Sequence, residues 1–144
     1  VAEQSQILNK SIGINVELKG PGTASAVAKI LQNYPHLPVL VSSFDHSQLR
    51  QFRDIDQRTD VAPLFHRWQD DVNAIATGLA ACCVNLSSRI VTRRRCEHVQ
   101  QIGLPILAYT VNSKRAAKRL QEMGIAGVFT DRPDKFAVTN TKVI

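Results

Sequence analysis

"LPILAYTVNSKRAAKRLQEMGIAGVFTD", residues 104–131, holds a strand, a helix and a second strand in that order. Leu104 to Ala108 is a short apolar run, and Pro105, which has no N–H to donate, fits the opening of a strand. Asn112 and Ser113 follow, either of which can accept a hydrogen bond from the free N–H groups of a helix start. Lys114 and Lys118, and Arg115 and Arg119, stand four apart, so each pair shares a side of that helix. The spacing predicts an outer helix with a solvated basic face. Gly124 stands where the helix must stop and the chain can turn left-handed. The apolar "IAGVF" then begins again. Apolar strand, helix, apolar strand is the sequence of a parallel crossover.

The same order recurs along the chain, roughly every 20–26 residues, as a structural rhythm rather than a sequence repeat. "SIGINVELK" (11–19) precedes "TASAVAKILQNYP" (23–35), with Ala26, Ile30 and Leu31 predicted on one helical side. "LPVLVSSF" (37–44) precedes "DHSQLRQFRDID" (45–56), with Asp45 placed to cap. "DVAPLF" (60–65) precedes a less regular stretch holding Trp68. "AACCVNL" (80–86) precedes "SRIVTRRRCEHVQQIG" (88–103), which stops at Gly103. "IAGVFTD" (125–131) precedes "RPDKFAVTN" (132–140). About six such units predict an α/β class with a parallel sheet. No G-x-G-x-x-G follows any strand, which counts against a dinucleotide-binding sheet. An open flavodoxin-like sheet and a (β/α) barrel both remain.

Bulk properties bound the rest. A chain of 144 residues, 44% hydrophobic and 21% charged, reads as one domain over residues 1–144 with a real core. No apolar run is long enough for a membrane span and "VAEQSQILNK" lacks the features of a signal peptide, so a cytoplasmic location is expected. Val1 stands first rather than Met, as it would after processing or in a piece of a longer chain. The three cysteines, Cys82, Cys83 and Cys96, fit neither a disulfide framework nor a common zinc spacing, and reduced, partly buried thiols are expected. The net charge of +6 permits attraction to anions. "TRRRCEH" and "SKRAAKR" carry much of it without interleaved aromatics, so no nucleic-acid partner is expected. Salt-sensitive DNA binding would contradict that.

"INVELKG" (14–20) carries the candidate chemistry. Ile14, Val16 and Leu18 alternate with Asn15, Glu17 and Lys19, the pattern of a strand with two unlike faces. Glu17 and Lys19 are roughly 7 Å apart along it. A wet edge strand would look like this, and so would a site at the carboxyl end of a parallel strand. In open parallel sheets and in barrels, ligands sit beyond those ends. There Glu17 and Lys19 would meet Phe44, Asn85, Tyr109 and Asp131.

Taken together, "INVELKG", "SSFDHSQLRQFR", "VNLS" and "GLPILAYTVNSKRAAKRLQEMGIAGVFTDRPD" resemble the glycerophosphodiester phosphodiesterase family, in particular its bacterial cytosolic branch. The likeness runs over essentially the whole chain in the right order. It implies a TIM barrel that hydrolyses glycerophosphodiesters to glycerol 3-phosphate and an alcohol with a divalent metal, Mg²⁺ or Ca²⁺. This chain would hold barrel strands three to eight, an incomplete barrel of about six units. On the family's pattern Glu17 is a metal ligand, Lys19 is a catalytic residue facing the substrate phosphate, and Phe44 and Tyr109 line the substrate pocket. Many relatives have Trp where Tyr109 stands.

The family's His-Arg-Gly strand, Pro-Glu-Asn-Thr turn, Glu-x-Asp strand and His-Asp pair are not in this sequence. The two catalytic histidines and two of three metal carboxylates would come from them. His46 reads as a surface or capping residue, and His36, His66 and His98 as loop or helix residues. One carboxylate cannot hold a hard cation, which wants several oxygen ligands. The isolated chain is therefore expected to be inactive. A complete barrel takes about 250 residues and eight units. With six, open sheet edges invite a partner: the N-terminal segment as a separate fragment, or a second copy in an intertwined dimer. An open, altered sheet is the third possibility. A degenerate barrel that binds phosphate or a protein without turnover is the alternative function, and the coding sequence upstream of Val1 would separate the two.

Overall fold

The computed structural model describes residues 13–136. The first two residues of "SIGINVELK" and the last four of "RPDKFAVTN" lie outside them. The six strands are β1 (Ile14–Glu17), β2 (Val39–Ser43), β3 (Asp60–Phe65), β4 (Val84–Ser87), β5 (Ile106–Tyr109) and β6 (Gly127–Val128). Each is parallel to its neighbour, and their order in the sheet is their order in the chain. Between them run α1 (Thr23–Leu31), α2 (His46–Ile55), α3 (Val72–Gly78), α4 (Arg93–Gln100) and α5 (Lys114–Glu122). A 3₁₀ turn, Pro133–Lys135, follows β6. The sheet curls into part of a barrel with the helices outside. Among the described residues it stays open, because β1 pairs only with β2 and β6 only with β5.

Alternation along the strands divides the apolar residues into two layers. Val41, Val61, Val84, Leu86, Ile106, Ala108 and Val128 face outward into the main core. There they meet Leu49 and Phe52 of α2, Val72 and Ala76 of α3, Cys96 and Val99 of α4, and Ala117 and Leu120 of α5. The concave side carries a much smaller cluster, Ala62, Cys83 and Leu107, flanked by Leu40, Cys82 and Phe129. Burying a large apolar side chain is worth about 1.5–3 kcal/mol, so the outer layer carries most of the stability. The inner face is left free for chemistry.

The helix ends follow the expected capping with one substitution of roles. Asp45 Oδ1 accepts from the N–H of Ser47 at 2.9 Å. Ser113 Oγ, not Asn112, caps α5 by accepting from the N–H of Ala116 at 3.2 Å. Gly103 and Gly124 have φ of 74° and 104°, the left-handed turns that end α4 and α5.

Two expectations need correction. The inward face of α1 is Ala24 and Ala28, while Ile30 is 57% exposed and Ala26 is exposed as well. Gly22 offers no side-chain cap, and Gln48 of α2 substitutes: its Oε1 accepts from the N–H of Ala24 at 3.2 Å. That bond pins the first turn and fixes the helix rotation. The stretch after β3, read as irregular, contains α3. Val72, Ala76 and Leu79, spaced i, i+4 and i+7, are all buried there.

Candidate active site

Register assembles the site. Glu17 lies opposite Ser42, and Ser42 opposite Ala62. Leu64 lies opposite Asn85, and Ser87 opposite Tyr109. Since strand partners share a face, Glu17, Ser42, Leu64, Asn85 and Tyr109 all belong to the concave side. At the carboxyl ends of the strands, Asn15, Glu17, Ser42, Phe44, Tyr109 and Thr110 line a cleft of about 170 Å³, with Leu64 and Phe129 also in its wall.

The strand end that carries Glu17 is held by β2 through both the N–H and the C=O of Leu18. The N–H of Leu18 donates to Ser42 O at 2.8 Å, and Ser43 Oγ donates to Leu18 O at 2.8 Å. Ser43 Oγ in turn accepts from the N–H of Asp45 at 3.0 Å, tying β1, β2 and the start of α2 together. Leu18, 3% exposed, anchors the segment in the outer core, so its neighbours Glu17 and Lys19 must face the other way. Beyond the Gly20-Pro21-Gly22 turn, Thr23 Oγ1 donates to Gly20 O at 2.8 Å.

The predicted residues divide. Glu17, Phe44 and Tyr109 share the cleft. The Lys19 ammonium stands 3.6 Å from the Glu17 carboxylate, but its side chain is 73% exposed against 28% for Glu17. Lys19 therefore sits at the mouth rather than in the cavity expected of it: it lies two residues beyond the last paired residue of β1, and among the described residues no further strand holds its long side chain down. Asn85 is buried on the same face without lining the cleft. Asp131 is drawn aside, accepting from Asn112 Nδ2 at 3.1 Å while its N–H donates to Asn112 Oδ1 at 2.9 Å. That use of Asn112 explains why Ser113 does the capping.

Phe44 meets Tyr109 edge to face at a centroid distance of 5.8 Å and His66 at 5.7 Å. His66 is exposed at the rim. His46 is neither a surface residue nor the cap: its Nε2 contacts Leu64 O at 3.1 Å, and its ring lies 4.7 Å from that of Phe65. Among the described residues no histidine lines the cleft.

Among the described residues, Ser42 Oγ, Asn85 Nδ2 and Tyr109 OH are buried on this face without a partner. Such atoms lose the hydrogen bonds they had in water, so a ligand that supplies a partner is favoured there. Burial, and then the nearby charge of Glu17, push the Tyr109 phenol above its ordinary range. It is therefore an O–H donor at neutral pH. Asn15, Ser42 and Thr110 were not candidates from the sequence. Asn15 could have been, because it shares the polar face with Glu17. Ser42 could not, because its place opposite Glu17 is a matter of register.

The described residues do not by themselves fit a divalent cation. Glu17 is the one carboxylate among them that lines the cleft, and among the described residues no group of three His, Cys, Asp or Glu converges. What the arrangement offers is a carboxylate, an ammonium at the mouth, the amide of Asn15, the three hydroxyls of Ser42, Tyr109 and Thr110, and an aromatic wall.

Comparison with known proteins gives this geometry its context. The model described as "Glycerophosphoryl diester phosphodiesterase family" matches residues 9–135. A glycerophosphodiester phosphodiesterase of Bacillus altitudinis is 29% identical over 135 residues, 87% of this chain and 54% of the relative. One from Caldanaerobacter subterraneus is 23% identical over 137 residues, 88% of this chain and 54% of the relative. The chain thus spans about half the length of these relatives. An Oleispira antarctica phosphodiesterase, solved in complex with the product sn-glycerol-3-phosphate, superposes with a TM-score of 0.81 at 22% identity. The match covers 88% of this chain and 54% of that one, so the fold is that of part of such a barrel.

Proposed function

We propose, for a chain that belongs to the glycerophosphoryl diester phosphodiesterase family, a part in hydrolysing glycerophosphodiesters to glycerol 3-phosphate and an alcohol. The observation that carries this reading is the convergence of Glu17, Phe44 and Tyr109 on one cleft at the carboxyl ends of parallel strands, with Lys19 at its mouth. Ligand sites of parallel barrels lie at that end.

In this reading Lys19 meets a phosphate oxygen as a mobile point charge, releasing Glu17 as the anion arrives. Tyr109 donates its O–H to the ligand, and Phe44 covers an apolar part of the alcohol or glycerol. Glu17 would serve as one ligand of an Mg²⁺ or Ca²⁺ ion whose other ligands come from outside residues 13–136, and the ion would supply positive charge to the phosphate. Cleavage also needs a proton removed from the attacking group and one given to the leaving alcohol. Among the described residues no pair of side chains lining this cleft is built for both tasks, so in this reading residues 1–144 alone bind phosphate without turning a diester over. A second reading, a phosphate-binding module without turnover, draws on the same lack of converging ligands.

The test is diesterase activity of the full-length protein carrying this chain, beside residues 1–144 alone, with Glu17→Gln in each. Metal-dependent release of glycerol 3-phosphate by the full-length protein, lost in the variant, supports the enzyme reading. Turnover by residues 1–144 alone, or full metal-dependent activity of the Glu17→Gln variant, overturns these roles.

A further inference from the structure

At the opposite, amino-terminal end of the strands a second cleft, of about 380 Å³, opens on the concave side. Its walls are mostly apolar, with Ile14, Leu40, Pro105 and Leu107 among them, but it also holds Asp60, Cys82 and Cys83. Consecutive residues of an extended strand point to opposite faces. These two do not, because the chain bends at Cys82 just before β4. Both side chains line the one cleft, and their sulfurs are 3.8 Å apart. A pyramidal trivalent atom bound to both, with angles nearer a right angle than tetrahedral, needs them only a few tenths of an ångström closer.

We propose that Cys82 and Cys83 form a vicinal dithiol site for trivalent organoarsenicals. Among the described residues no group of three metal-ligating side chains converges here, so a dication that needs four ligands is poorly served. An organoarsenical brings its own carbon substituent and needs two thiolates, which are soft ligands. The reaction balances without an oxidant. An arsenic(III) oxide loses its oxygen, two As–S bonds form, the two thiol protons leave with that oxygen as water, and arsenic stays trivalent. Cys82 is half-buried and Cys83 is 5% exposed, so the first sulfur is within reach of solvent and the second closes the ring from the wall. Attack begins at Cys82, the more exposed sulfur, whose thiol is pushed down chiefly by its hydrogen-bond contact with Cys83, while the same contact and burial push Cys83 up. The apolar lining then covers the aryl group.

The probe is phenylarsine oxide, added to residues 1–144 kept reduced with a phosphine and free of other thiols. Intact-mass measurement should show one adduct per chain that survives excess 2-mercaptoethanol and is removed by a dithiol. Adjacent cysteines in an unfolded chain also take up arsenicals, so the second readout is Tm. A site set in the fold raises Tm, because the ligand then favours the native state. Cys82→Ser and Cys83→Ser should each lose both the resistant adduct and the shift, and Cys96→Ala should keep both. Peptide mapping of the wild-type adduct to residues 82 and 83 gives the same answer if a variant fails to fold. A resistant adduct that maps to Cys96, no resistant adduct on the folded chain, or an adduct that lowers Tm overturns the proposal.

Discussion

Glu17 and Lys19 form an ion pair at 3.6 Å whose two halves face different surroundings. The carboxylate lines the cleft and the ammonium lies in solvent at its mouth. An exposed pair of this kind contributes no more than about 1 kcal/mol to stability. Lys19→Ala should therefore leave Tm within a degree or two of wild type. If Lys19 meets the substrate phosphate as proposed, the same change in the full-length protein should cost about 10- to 100-fold in kcat/KM. Lys19→Arg should recover part of it. Steady-state kinetics beside a melting curve checks both halves, and an unchanged kcat/KM would leave Lys19 as a solvated lysine.

Glu17→Gln keeps the shape of the side chain and removes its charge. Its backbone neighbours are held by the Leu18, Ser42 and Ser43 bonds, none of which uses the carboxylate. The fold should stand, with an unchanged circular dichroism spectrum. If Glu17 holds the proposed metal, turnover of the full-length protein should fall by at least about 100-fold, and a metal titration by calorimetry should show weaker binding. A stable variant with both properties intact would remove Glu17 from the ligand set.

How much of this was legible follows from which physical signals are local. Strand and helix alternation, the Asp45 and Ser113 caps and the turns at Gly103 and Gly124 rest on neighbours in sequence, and they are where the sequence predicts them. The meeting of Glu17, Phe44 and Tyr109 was legible through the family likeness and through the rule that parallel strands present their carboxyl ends to ligands. Ser42 was not, since its place opposite Glu17 depends on the β1–β2 register. The face of α1 was not, because a side chain from another helix, Gln48, sets its rotation. Asp131 was misplaced because Asn112, nineteen residues away in sequence, binds it from the neighbouring strand end.

Tyr109 separates ligand binding from stability. Its OH is buried without a partner among the described residues, so Tyr109→Phe removes a polar atom that none of them satisfies. Such a change is neutral or mildly stabilising. Glycerol 3-phosphate should nevertheless bind several-fold more weakly if the hydroxyl donates to it. Equilibrium binding and Tm should move in opposite directions or Tm not at all. A clear loss of stability with unchanged binding would make the phenol a structural group.

The same residue sets an alkaline limit. Burial first, and Glu17 second, raise the phenol above its ordinary value of 10.0. Above that pH the unfolded chain releases this proton while the folded one retains it, so the unfolded state binds fewer protons. By linkage, stability is fully present below about pH 10 and declines as pH rises further, until the folded phenol itself titrates. Denaturant melts of wild type and Tyr109→Phe should thus diverge above pH 10, with wild type losing more. In a Tyr34→Phe background, which leaves Tyr109 as the one tyrosine, phenolate absorbance of the native chain should lag that of the unfolded chain. Coincident curves would place the hydroxyl in solvent.

The open edge makes the last expectation. β1 has a neighbour on one side only among the described residues, and Ile14 on it is 46% exposed. An unpaired strand with an apolar side chain is a template for another chain. Its helix α1 adds Ile30 at 57% exposure, and the loop beyond it Tyr34 at 55% and Leu37 at 42%. Residues 1–144 alone should therefore associate, with a light-scattering mass that rises with concentration. Placing a charge on the edge, as in Ile14→Lys, should shift that equilibrium toward monomer, since pairing would desolvate the ammonium. The same substitution on the exposed helix, Ile30→Lys, distinguishes strand pairing from helix packing: if only the helix variant dissolves the assembly, the partner sits on α1. A wild-type chain that stays monomeric at high concentration would mean that this edge is protected within residues 1–144 themselves.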